Sequence, residues 1–297
     1  MSSARQIKQK IKTAKNISKI TKAMEMVSAS KMRRAQSQAL ATRPYTRALQ
    51  ESLSTLASTI KTNIHPFLVS HTGGIDVAII ISTDKGLCGG LNLNLFKSTI
   101  EWQKRHKNGK LILVGKKAVA FAKMYGLNTH AQFTDLPDIV KTSEILPIAS
   151  IISSQYLNES FKSVSIIYMD FISTLVQRVK TINLLPLPKN DEVNCSSLVS
   201  VNTKSKIEYI FEPSPKAILD DLLNYYLENT IYQSFLEAKA SEHSARMVAM
   251  KNASDNAGEL MSELQLQFNK SRQTGITSEL LDITTAVLAQ KNKKLRS

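Results

Sequence analysis

The sequence is poor in the residues that make turns and covalent staples. Ten glycines and eight prolines in 297 residues, with aromatic side chains at 6%, argue against a β-sandwich or barrel and favour an α or mixed α/β chain. Cys88 and Cys195 are the only cysteines. They lie in segments of different character, so no disulfide framework is expected and a reducing compartment is the simple reading. No apolar run is long enough to cross a bilayer, and the opening MSSARQIKQKIK has no signal-peptide core. A membrane, if involved, is met from outside. Acidic residues are also scarce. Lys and Arg number 39 against 24 Asp and Glu, a formal charge of +15, which points to an acidic partner: nucleic acid, phospholipid or an acidic protein surface.

What is present is helical periodicity at both ends. From Ala4 to about Lys61 there is no glycine, and Ile7, Ile11, Ala14, Ile17, Ile20, Met24 and Val27 recur at steps of three and four. Such an element would extend roughly 80 Å, with Pro44 an expected point of bending. A second long element follows Ser214 and Pro215, which read as an N-cap and first helical residue. There Met250, Ala253, Ala257, Leu260 and Leu264 form an a/d seam, and Glu242 can pair with Arg246 one turn on. Helices this long cannot bury their whole apolar stripe on one small domain. An antiparallel coiled coil of the two chain ends is therefore expected.

Between them IDVAIII, GKLILVG and SVSIIYMDFIS are short β-rich runs separated by helix-like stretches, the alternation of an α/β domain with a mostly parallel sheet. RVKTINLLPLP offers one more strand, and the polar segment from Pro188 to about Lys206 reads as a connecting loop. The expected organisation is an N-terminal coiled-coil helix at 1–61, a Rossmann-like α/β domain at 74–212 and a C-terminal coiled-coil helix at 214–291.

Three features invite a functional reading. In STDKGLCGGLN, Gly86 to Gly90 have the spacing of a nucleophile elbow. A cysteine nucleophile needs a base, and His106, His130 and His243 do not occupy loop contexts that mark one; a simple strand-to-helix turn accounts for the glycines. No P-loop or dinucleotide fingerprint is present, nor His and Cys spacing for a metal, so no cofactor is expected. Second, between Met1 and Arg47 twelve basic residues face the single acid Glu25. Nucleic acid would profit from counterion release, but no aromatics are interleaved for base stacking, and an acidic protein fits as well. Third, the C-terminal seam turns polar at Gln267, Ser271 and Thr274, then apolar periodicity resumes in ITSELLDITTAVLA. The break is internal, so this stretch is expected to face something other than its own partner helix.

The stretches ITKAMEMVSASKMRRAQ, STDKGLCGGLN, LLPLP, FEPSP, SEHSARMVAMKNASDNA and SRQTGITSELLDI, in this order and spacing over nearly the whole chain, resemble the gamma subunits of bacterial F-type ATP synthases. The resemblance implies a non-catalytic rotor shaft. Its partners would be the alpha and beta subunits around the shaft and the epsilon subunit and ring of c subunits at its foot. The location implied is peripheral, on the cytoplasmic face of the inner membrane. Carried over by motif, Arg272 and Gln273 would contact a beta-subunit loop, and Met24 would face the beta-subunit levers. Glu242 and Arg246 would help transmit torque, and Tyr209 and Glu212 would face the c ring. The chain departs from the family pattern at Ala286-Val287, larger than the usual small pair, and in its basic tail KNKKLRS. The rival reading is a basic coiled-coil protein that binds nucleic acid; a hydrolase built on Cys88 is a third.

Overall fold

The computed structural model describes residues 4–59, 65–187, 212 and 214–294. The chain divides into two compact units, one made of 1–27 with 247–297, the other of 28–246. Two long helices, α1 (Ala4–Thr59) and α5 (Pro215–Lys294), contribute to both. α1 continues as helix through Pro44.

In the first unit the buried positions of α1 are Ile7, Ala14 and Thr21, and those of α5 are Met250, Ala257 and Leu264. Each set repeats every seven residues, and Ile11, Ser18, Ser254, Met261 and Phe268 fill the half-buried places between them. This is the seam of a coiled coil. A 3.4 Å hydrogen bond between the Ser18 and Ser254 hydroxyls fixes an antiparallel register. Ile7, Ile11, Ala14, Met24, Met250, Ala257 and Leu264 hold the seam as expected, but four expected members do not. Ile17, Ile20 and Val27 are 48%, 59% and 55% exposed, and Leu260 is 48% exposed. They sit one position beside the true heptads, about 100° round the helix. Small residues win the seam because Ala14, Ser18 and Thr21 let two backbones approach closely. The Thr21 hydroxyl escapes a desolvation penalty by donating to the carbonyls of Ile17 and Ser18.

The second unit is built on a five-stranded sheet ordered β3-β2-β1-β4-β5. β1 (Ile75–Ile81), β2 (Lys110–Val114), β3 (Thr129–Phe133) and β4 (Phe161–Phe171) are parallel, and β5 (Gln177–Leu185) returns antiparallel beside β4. α2 (Leu91–Arg105), α3 (Lys116–Tyr125) and α4 (Thr142–Leu157) make the crossovers. Strand alternation sends Ala78 and Ile80 into one core with Leu95 and Trp102 of α2 and Ala118 of α3. Val77, Ile79 and Ile81 enter the other with Ile145, Ile148 and Ile152 of α4 and Leu219, Leu223, Leu227, Ile231 and Phe235 of α5. The chain is therefore doubly wound, and α5 serves as one of its covering helices. β3 has no apolar run to announce it: THAQF is half-buried at alternate positions of an edge strand. The loop expected at 188–206 lies outside the described residues.

Candidate functional site

The STDKGLCGGLN turn closes on itself. After β1, the Ser82 hydroxyl donates to the Val114 carbonyl and accepts from the Ala118 amide, and an Asp84 carboxylate oxygen accepts from the Lys116 amide. The N-terminus of α3 is thus capped from within the chain. Gly89 sits at φ +61°, and Leu87, at φ 62°, holds the same left-handed conformation with an exposed side chain. Cys88 is buried among Leu91, Leu95 and Ile80, and its sulfur accepts from Asn92 at 3.4 Å. Burial pushes its thiol up, against the opposing pull of Arg246. That is the reverse of what a nucleophile needs.

Arg246 ties this turn to α5. Its Nε donates to the Gly86 carbonyl and its Nη2 to the Lys85 carbonyl, both at 3.2 Å, while Nη2 also reaches Glu242 Oε1 at 2.9 Å. Glu242 is held on its other oxygen by Lys239 at 3.4 Å. All three side chains are buried. A buried charge pair is stable only when its remaining hydrogen-bonding capacity is used, and the two turn carbonyls use that of Arg246. The sequence offered Glu242 and Arg246 as an i,i+4 pair; it gave no sign that the glycine-rich turn, some 160 residues earlier, supplies the other half of the clamp.

A second junction joins the sheet to both helices. Tyr168 of β4 donates to Glu237 Oε2 at 2.7 Å, Gln233 donates to Glu237 Oε1 at 3.0 Å, and Thr42 of α1 donates to the side-chain Oε1 of Gln233 at 2.7 Å. Asn229 continues the line by donating to Thr46 at 2.9 Å. Burial raises the carboxyl pKa of Glu237, opposed by the Gln233 and Tyr168 hydrogen bonds. Sequence reasoning missed this group because Asn229, Gln233 and Glu237 recur at helical spacing as polar residues, which reads as a solvated face, and nothing local brings Tyr168, Thr42 and Thr46 to them.

The remaining residues singled out from sequence are dispersed. Met24 is half-buried in the first unit beside Glu25, which pairs with Lys22 at 3.0 Å. Arg272 and Gln273 are exposed. Given the Ser18–Ser254 register, Met24 lies level with about Val248, roughly 36 Å along α5 from Arg272. These are two separate zones. Every described side chain from Arg272 to Val287 is exposed, because α5 continues beyond the level at which α1 begins. Glu212 is exposed, and Tyr209 lies outside the described residues. Among the described residues no His, Cys, Asp and Glu cluster could hold a metal ion, and no helix is long and apolar enough to cross a membrane.

Comparison with known proteins gives a consistent answer. A family model described as ATP synthase matches residues 3–289. The ATP synthase gamma chain of Glaesserella parasuis serovar 5 (strain SH0165) is 42% identical over 293 residues, covering 97% of this chain and 100% of the relative. That of Haemophilus influenzae (strain PittEE) is 39% identical over 295 residues, with the same coverage. Among solved structures, the rotor of Euglena gracilis mitochondrial ATP synthase superposes with a TM-score of 0.63 at 21% identity, covering 92% of this chain and 98% of that one. These relatives lend no support to the nucleic-acid reading. With the family model spanning nearly the whole sequence and bacterial relatives matched from end to end, the chain belongs to the ATP synthase gamma chain family.

Proposed function

We propose that this chain is the non-catalytic central shaft of a rotary, membrane-associated ATP synthase. It would couple ion flow through a c ring to conformational change in beta subunits. The observation that carries the reading is the end of α5. Ile276, Leu280, Leu281, Ile283 and Val287 are each more than half exposed on a helix that has outrun its partner. Apolar residues at helical spacing in that position call for a sleeve supplied by other chains. The basic face of α1 suits acidic levers on that sleeve. A shaft acts only through different contact energies with the states it favours, and by reciprocity ATP hydrolysis turns it backwards.

In this reading Arg272 and Gln273 make polar contacts with a beta-subunit loop, and Met24 faces the levers. Glu242 and Arg246 carry torque between α5 and the α/β domain, and Tyr209 and Glu212 face the c ring beside epsilon. The functional division is 1–61, 74–212 and 214–291, and the foot lies on the cytoplasmic face of the inner membrane. Co-expression with the host's alpha and beta subunits, followed by size-exclusion chromatography and an ATPase assay, tests it. Co-elution in one large complex with activity dependent on this chain is expected; separate elution with unchanged activity would overturn the reading.

A further inference from the structure

His243 is used by none of the contacts described above, yet it sits in the middle of them. It is 2% exposed on α5, and both ring nitrogens are buried with no hydrogen-bond partner among the described residues. Leaving such a group unpaired costs free energy, so a structural filler would be better made of an apolar side chain. The acid that reaches the ring from outside α5 is Asp138, on the connection between β3 and α4, whose Oδ1 lies 4.0 Å from His243 Nε2. The other oxygen of Asp138 is held by Lys31 of α1. The charged groups around the ring are therefore Lys239, Glu242 and Arg246 on its own helix, Asp138 on the connection, and Lys31 behind Asp138 on α1.

We propose that His243, Asp138 and Lys31 form a pH-sensitive clasp, in which a neutral buried imidazole closes α5 against a connection held by α1, and proton uptake from solvent at His243 loosens that closure. The inference rests on the rotor reading for its consequence: the clasp lies where α5 packs on the α/β domain, so its opening would soften the joint through which torque passes.

The sign follows from the surroundings. Burial disfavours the imidazolium and lowers its pKa; Glu242 and Asp138 favour it, and Arg246 and Lys239 oppose it. Burial pushes the Asp138 carboxyl up, but Lys31, with Lys239 behind it, outweighs that and keeps it ionised. It is a partial counterion, already engaged. In the closed clasp the ring stays neutral, whereas an opened ring protonates at an ordinary value near 6.5. Acid therefore shifts the balance toward opening, by up to about tenfold between pH 7.5 and 5.5. Asp138 moderates the shift, because it is the one acid outside α5 near enough to accept the imidazolium.

The test is hydrogen–deuterium exchange read by mass spectrometry on the chain assembled with its alpha and beta subunits. Wild type, His243→Gln and Asp138→Asn are compared at pH 7.5 and 5.5 after correction for intrinsic rates. Wild type is expected to show several-fold faster exchange in 136–140 and 239–246 at the lower pH. His243→Gln should show no such difference, and Asp138→Asn a larger one. An equal acid response in wild type and His243→Gln, no response in wild type, or no change on removing Asp138 would each overturn the clasp. Assembly and ATPase activity at pH 7.5 report on the rotor reading separately, so failure of one is distinguishable from failure of the other.

Discussion

The Tyr168 hydroxyl donates to Glu237 Oε2 at 2.7 Å, across 69 residues of sequence. Tyr168 is 1% exposed on β4, one strand in from the sheet edge, and this bond ties β4 to α5. Removing the donor with Tyr168→Phe leaves a largely buried carboxylate with one partner fewer. A loss of about 1–3 kcal/mol is expected in urea unfolding of the full chain.

Glu237 itself predicts a pH slope. Burial raises its folded pKa above the unfolded value, so the native state binds the proton more tightly. Its stabilising contribution is fully present below the unfolded pKa and is lost as pH rises through the raised folded value. Glu237→Gln imitates the protonated form and is expected to be more stable than wild type at pH 8 and to flatten the decline between pH 5 and 8. Thermal unfolding at a series of pH values decides this; a mutant that declines as steeply as wild type would refute it.

Arg246 and Glu242 predict non-additivity. Arg246→Ala leaves Glu242 with Lys239 alone and frees two turn carbonyls, at an expected cost of up to about 3–5 kcal/mol. Once Glu242→Gln has removed the charge, the same truncation should cost markedly less. A double-mutant cycle by urea unfolding yields the coupling directly; a coupling near zero would mean that the clamp carries no energy. Cys88, packed beneath the same turn, is the control. Cys88→Ala should leave the ATPase activity of the assembled complex intact.

How far the sequence could be read depended on whether a feature is local. Helix periodicity is local, and α1 and α5 were legible because several successive turns repeat the same signal. β1, β2 and β4 were legible as continuous apolar runs, since a parallel strand is buried on both faces. β3 was not, because an edge strand needs no apolar run. Part of the seam was misplaced by one position because hydrophobicity alone favours Ile17 and Ile20 over Ser18 and Thr21, while close helix packing favours the small residues; Ile7, Ala14, Met250, Ala257 and Leu264 were read correctly. The clamp and the Tyr168–Glu237 line were out of reach because they join positions that only the fold makes neighbours. Arg272 and Gln273 were reached through resemblance, and their exposure agrees with an external contact without establishing one.

The seam makes the last prediction. Ala14 is 4% exposed and Ala257 is 7% exposed, at small-residue positions where the two backbones run close. Ala14→Leu should overpack that line and cost about 1–3 kcal/mol in the isolated chain. Ile20→Ala, on the open face, should change the stability of the isolated chain by no more than about 0.5 kcal/mol. The order reverses for a contact surface, because truncating Ile20 removes apolar area that only an enclosing partner can bury. Ile20→Ala is therefore expected to leave unfolding of the chain unchanged while weakening its co-elution with alpha and beta subunits. If Ile20→Ala instead destabilised the free chain as much as Ala14→Leu, the seam would run through the isoleucines after all.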